Sequence, residues 1–408
     1  MPTRPEEVGL SAERLARIDA HLKTRYLDPG KIAGALTLVY RRGCLAYLSP
    51  LGLMDRERGT PMAEDTLFRI YSMTKPITAV ALMMLYEHGH FHLDDPVRKW
   101  IPEWRELRVY AAGNDPHFAT VPCARPMTVR DLLTHMSGLT YGFMERTNVD
   151  AAYRKRGIGR LDVVFDGTLS DMVQALAALP LEFSPGTAWN YSVSSDVLGH
   201  LVEVISGERF DEYLRRHVFE PLGMVDTGYR VPPEKLDRFA ACYERGPGKQ
   251  LRLQDDPQRS RYLRAPAFFS GGSGLVSTAA DYLRFCRMLL GGGELEGVRL
   301  LGRKTLELMT RNHLPGGRDL SELALGFFSE TPYAGVGFGL GFSVSVAPVR
   351  GGIVGSPGEY GWGGAASTAF WVDPAEELIV IFMTQFFPSR TFDFRGQLKA
   401  IIYPAIVD

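Results

Sequence analysis

Tyr71-Ser72-Met73-Thr74-Lys75 stands at the head of an almost wholly apolar run that includes Ile77, Val80, Leu82, Met83, Met84 and Leu85. Residues three apart on a helix share a face, so Ser72 and Lys75 are expected to be neighbours one turn apart. Pro76 then belongs in or near the first turn, where its missing N–H costs least. Ser72 falls at the positive end of the helix dipole, which favours an alkoxide or an oxyanion. Lysine is a poor base at neutral pH, but burial against an apolar helix favours its neutral amine. A neutral lysine beside a serine is a nucleophile–base pair. By itself this spacing also arises by chance in a chain of 408 residues.

Two more segments carry reactive types. Trp189-Asn190-Tyr191-Ser192-Val193-Ser194-Ser195-Asp196 follows the turn Ser184-Pro185-Gly186 and enters a helical pattern. Tyr191 at such a loop tip could relay a proton if a cation such as Lys75 lowered its pKa. Asp196 could orient Tyr191 or Lys75 through a hydrogen bond. The competing reading is a core tyrosine with Asp196 as a cap. Glu359-Tyr360-Gly361-Trp362-Gly363-Gly364-Ala365-Ala366-Ser367 leads into a strand. Glycines there let a ligand approach backbone N–H groups that could hold an oxyanion. A Gly-rich hairpin turn, with Trp362 as a packing residue, fits equally well.

The elements that must position these groups follow from periodicity. Residues 11–26 read as an amphipathic surface helix capped by Ser11, and 32–40 with 44–51 as a β-hairpin turning at Arg41-Arg42-Gly43. Helices are expected over 74–88, 128–135, 169–179, 194–206, 210–219 and 279–290. Strands return over 339–346, 366–372 and 378–383, and a helix closes the chain over 395–403. Strands at both ends with helices between predict an α+β fold: an antiparallel sheet flanked by helices plus a mostly helical insert. The expected division is 1–75 with 275–408 for the sheet domain and 76–274 for the helical one, with the active site at their interface.

Together these segments resemble the serine β-lactamase and penicillin-binding-protein superfamily, most of all its carboxylesterase branch, the family VIII esterases related to class C β-lactamases. The resemblance runs over nearly the whole chain. It includes Phe68-Arg69-Ile70-Tyr71-Ser72-Met73-Thr74-Lys75, Thr128-Val129-Arg130-Asp131-Leu132-Leu133-Thr134-His135-Met136-Ser137-Gly138-Leu139 and Gly272-Ser273-Gly274-Leu275-Val276-Ser277-Thr278. It implies Ser72 as nucleophile, Lys75 as general base and Tyr191 as the tyrosine of the second box. Trp362-Gly363-Gly364 matches the third box, which is Lys-Thr-Gly in most β-lactamases. The implied oxyanion hole is the N–H of Ser72 with that of Ala365, or Gly364 if the match slips by one. Substrate contacts are expected from Trp362, Gly363 and Val193. Trp362 replaces a cation and Val193 an amide, and both losses favour neutral esters over anionic amides. The expected enzyme is a metal-free, cofactor-free serine carboxylesterase acting on short to medium acyl groups through a Ser72 acyl-enzyme, with Lys75 and Tyr191 as general bases. A β-lactamase, a D-amino-acid peptidase and an acyl transferase on the same fold remain alternatives, with a non-catalytic penicillin-binding sensor as a remote third.

Composition narrows the partners. Forty-six basic residues against 47 acidic ones give a net charge of −1. Neither the basic footprint of a nucleic-acid binder nor a polybasic membrane patch is expected. The four cysteines form no CxxC pair, and the first residues lack the pattern of a signal peptide, so a cytoplasmic enzyme with a small-molecule ester substrate is expected. Composition is silent on oligomeric state. No Gly-x-Ser-x-Gly elbow is present, which disfavours an α/β-hydrolase. His88, His90 and His92 alternate at an expected helix end and are read as turn residues rather than metal ligands. His135 is read as part of a structural loop.

Overall fold

The computed structural model describes residues 2–161, 164–326 and 333–408. An eight-stranded sheet forms the scaffold, and its strands come from the two ends of the chain. In spatial order they are Val336–Phe338, Ser343–Ser345, Tyr360–Gly363, Ala369–Asp373, Leu378–Thr384, Gly34–Arg41, Cys44–Asp55 and Thr60–Pro61. Every pairing between neighbours is antiparallel. The central strands carry apolar residues on both faces, as a sheet covered on both sides requires. Along Gly34–Arg41, Leu36, Leu38 and Tyr40 enter one core while Ala35 and Val39 enter the other. Ile379, Ile381 and Met383 alternate with Leu378, Val380 and Phe382 in the same way.

The second of these cores is closed by the helices Ala12–Leu22 and Phe394–Ile402, which pack against each other on the outer face. Ser11 caps the first of them by accepting from the Arg14 N–H at 3.3 Å. The other, larger core lies between the inner face of the sheet and the helices of the middle of the chain. At its centre runs the helix Thr74–Glu87, of which only Met84, Tyr86 and Glu87 escape full burial. It packs against Ser194–Ser206, which begins where the Tyr191 segment ends.

Several expected elements take a different form. The strand expected over 339–346 is two strands, Val336–Phe338 and Ser343–Ser345, folded back through Gly341. Gly341 has φ +89°, and a Cβ there would stand 2.4 Å from the Ala79 side chain of the central helix. The range 76–274 also contains strand pairs that periodicity does not reveal. Arg108–Asn114 pairs with His117–Pro122. Cys242–Arg245 pairs with Leu251–Asp255 and, in parallel, with Phe386–Phe387. Ala241, Tyr243 and Leu251 therefore join the outer core of the terminal sheet rather than a separate helical body.

Candidate active site

Ser72 lies in a 3-10 turn, Tyr71–Met73, that runs directly into Thr74–Glu87. Its Oγ is 3.2 Å from the Lys75 Nζ and accepts a hydrogen bond from the Tyr191 hydroxyl at 2.6 Å. The expected one-turn spacing thus brings serine and lysine together, and the loop before Ser194–Ser206 delivers the phenol from the other side. Lys75 is 3% exposed, and burial brings its pKa down to about 7 against the attraction of Asp196. At neutral pH a large fraction of it is therefore an amine able to accept the serine proton.

Tyr191 corrects one expectation. Its pKa is raised, not lowered, because it is buried and because the Asp196 charge adds to that shift. Hydrogen bonds with Ser72 and with the Trp362 side chain oppose that shift without reversing it. Tyr191 is therefore a protonated donor in the resting site.

Asp196 is a second correction. Its carboxylate does not reach Tyr191 or Lys75 by hydrogen bond. It accepts from the Ser270 hydroxyl at 2.5 Å and from the Gly272 N–H at 3.1 Å. The Gly272 carbonyl in turn accepts from Lys75 Nζ at 2.6 Å, and the Gly271 carbonyl accepts from Thr78 at 2.7 Å. Asp196 thus fixes the loop that aims the lysine. Side chains are excluded there: a Cβ at Gly271 would lie 2.2 Å from the Ser195 carbonyl oxygen. The Gly272-Ser273-Gly274 signal in the sequence marks this loop, although its partnership with Lys75 is legible only in three dimensions.

Ser72 and Tyr191 face a cavity of ≈ 320 Å³ that Trp362, Gly363, Gly364 and Ala365 also line. Trp362–Gly363 ends the strand Tyr360–Gly363, and the loop after it is pinned by its own backbone. The Gly364 N–H donates to the Thr368 carbonyl at 2.7 Å, so Gly364 is not the spare donor that a one-residue slip would make it. The carbonyls of Ala365 and Ala366 accept from the N–H groups of Ser389 and Phe386. Among the described residues, the N–H groups of Ser72 and Ala365 have no acceptor. Both belong to the pair expected for an oxyanion. Val193 is a third correction: it is 1% exposed, packs in the inner core and does not line the cavity. Tyr141 does line it, with its ring 5.1 Å from that of Tyr191 and 5.3 Å from Lys75 Nζ. No motif in the sequence singles Tyr141 out.

His135 is buried behind the site, with its ring 5.0 Å from that of Tyr191 and its Nδ1 3.2 Å from the Ser192 hydroxyl. Burial drives its pKa well below the usual histidine value. It is a neutral packing residue, consistent with a structural loop.

The Beta-lactamase family matches residues 20–402 of the chain. The chain belongs to that family. Its relatives in the family include the esterase EstB of Burkholderia gladioli, 34% identical over 396 residues that span 93% of each chain. Protein Rv1367c of Mycobacterium tuberculosis is 37% identical over 369 residues, 90% of this chain and 89% of its own. Among solved structures, EstCE1, described as a hydrolase with promiscuous acyltransferase activity, superposes with a TM-score of 0.79 at 27% identity. That superposition covers 97% of this chain and 99% of EstCE1. This Beta-lactamase-family protein is a hydrolase with the fold of EstCE1, and among its described residues no helix is long and apolar enough to cross a membrane.

Proposed function

We propose that the protein is a serine carboxylesterase that works through an acyl-enzyme on Ser72. The observation that carries this reading is the placement of the Ser72 Oγ, at a cavity wall, between a buried amine and a protonated phenol. Lys75 takes the hydroxyl proton as the Oγ–carbonyl bond forms, and the carbonyl electrons move onto an oxygen held by the N–H groups of Ser72 and Ala365. Collapse of this intermediate breaks the bond to the alcohol. Tyr191 gives the departing oxygen its proton and recovers one from the Lys75 ammonium. Water then attacks the acyl carbon, its proton passes to Lys75, and Ser72 Oγ leaves with a proton restored.

Esters are favoured over β-lactams because Trp362 presents an indole to the cavity where the lysine of the third box would meet a carboxylate. The esterase name of EstB supports the same choice. The loss of an amide at Val193 no longer contributes, since that side chain is in the core. Acyl transfer is a second reading, favoured by the acyltransferase activity in the description of EstCE1. Hydrolysis of p-nitrophenyl butyrate is expected to exceed that of a chromogenic cephalosporin by about 10²-fold or more in kcat/KM. Equal or faster cephalosporin turnover by the same preparation overturns the esterase assignment in favour of a lactamase. Adding a primary alcohol to the ester assay separates transfer from hydrolysis by the products formed.

The phenol makes its own prediction. Tyr191→Phe keeps the ring packing on Tyr141 and Trp362 but removes the donor to Ser72. Ester turnover is expected to fall by about 10²-fold with the melting temperature nearly unchanged. Wild-type kcat in that variant removes Tyr191 from the proton path.

A further inference from the structure

Tyr71, immediately before Ser72, has φ +42°, a conformation that aromatic residues seldom adopt. It is 4% exposed, and its ring does not line the cavity. The ring packs in a small cluster with Cys242, Ala366 and Phe387, bordered by Ala365, and of these Ala365 and Phe387 also line the cavity. It meets the Phe387 ring edge-on at 5.0 Å between centroids. A left-handed residue held in a packed cluster is over-determined by its surroundings, and such strain collects where geometry matters to function.

The partners of Tyr71 show what its ring holds. Ala365 and Ala366 belong to the loop that offers the Ala365 N–H. That loop contains a second non-glycine left-handed residue, Ser367, at φ +65°. Its hydroxyl donates to the Phe386 carbonyl at 2.8 Å, and the Phe386 N–H donates back to the Ala366 carbonyl at 3.0 Å. Phe386–Phe387 is itself paired with the strand Cys242–Arg245, so three distant segments meet around one ring. One side of that ring is bonded to the backbone that carries the Ser72 N–H. The other side packs on the loop that carries the Ala365 N–H.

We propose that Tyr71 is a positioning residue that sets the two oxyanion donors relative to each other, its ring acting as the wedge between the nucleophile turn and the 364–368 loop. The inference rests on the esterase reading of the same site. It predicts a defect specific to the tetrahedral state, because the ground-state ester is bound by the cavity walls while the oxyanion needs both N–H groups at once.

The test compares wild type with Tyr71→Phe, Tyr71→Leu and Tyr71→Ala on p-nitrophenyl butyrate, alongside binding of phenylboronic acid. Boron accepts the Ser72 Oγ electron pair as the hydroxyl proton passes to Lys75, giving a tetrahedral adduct that reports on the oxyanion donors. Tyr71→Phe keeps the ring and is expected to stay within about 3-fold of wild type, whereas Leu and Ala are expected to lose on the order of 10- to 100-fold in kcat, less than complete removal of a donor. KM is expected to stay within about 3-fold while boronate affinity falls in parallel with kcat. Tyr71→Leu retains apolar bulk and serves where the alanine variant does not fold. A folded Leu variant with wild-type kcat, or with losses in KM but not in boronate affinity, overturns the proposal. An inactive wild type with normal boronate binding would instead count against the esterase reading.

Discussion

Ser72→Ala is expected to lower ester hydrolysis by about 10⁴- to 10⁶-fold, leaving the residual rate that binding and the oxyanion donors alone provide. The prediction singles out one hydroxyl among several at the cavity. Ser273, Ser343, Ser345, Ser367 and Ser389 line it too. Ser343 donates to the Gly361 carbonyl at 2.8 Å and Ser367 to the Phe386 carbonyl at 2.8 Å, so both are committed to the backbone. Ser273 lies 3.3 Å from the Ser270 hydroxyl and has no base beside it among the described residues. Among the described residues, only Ser72 has both an amine and a phenol in reach. The substitution leaves Tyr191 and Lys75 each short of one partner, a loss of about 1 kcal/mol in stability rather than a failure to fold. Wild type should release a burst of nitrophenol equal to the enzyme present and gain the acyl mass on the peptide containing Ser72. Turnover of the alanine variant within 100-fold of wild type, in material free of other esterases, would place the nucleophile elsewhere.

The amino-acid sequence displayed the pairing of Ser72 with Lys75 because their relation is local. Three residues of helix decide it, and the apolar run after Pro76 reports the burial that lowers the lysine pKa. Elements bounded by strong signals were equally legible: Ser194–Ser206 and Ala279–Leu290 form over the expected residues, the latter with Thr278 accepting from the Asp281 N–H. What was hidden depends on contacts between distant segments. Asp196 looks like a partner for Tyr191, but its partners, Ser270 and Gly272, lie in a loop far along the chain. Val193 occupies a motif position, and only packing reveals that its side chain turns into the core. Cys242–Arg245 lacks a strand signature because its place is set by Phe386–Phe387. The cluster around Tyr71 is invisible for the same reason, since no spacing links residues 71, 242, 366 and 387.

Lys75→Met is expected to move activity and stability in opposite directions. Removal of the base should cost about 10³-fold in kcat/KM. In wild type, kcat/KM should rise with pH and level off above about 7, where Lys75 has given up its proton. The folded protein holds that proton less tightly than the unfolded chain, in which lysine keeps its ordinary value near 10.5. Unfolding therefore takes up a proton between about pH 7 and 10.5, and stability rises with pH across that window. Below about 7 both states are protonated and the full penalty of burying an ammonium is felt. Methionine fills a similar volume without that penalty, although it leaves the Gly272 carbonyl without its donor. The net gain at pH 6 should be roughly 1–3 kcal/mol, visible as a rise in melting temperature, and it should vanish and then reverse sign as pH rises toward 10. A variant that melts below wild type at pH 6, or whose gain is the same at pH 10, would mean that the lysine is not held against its charge. Ser72 would then need another source of activation, because an ammonium 3.2 Å from its Oγ can stabilise an alkoxide but cannot create one.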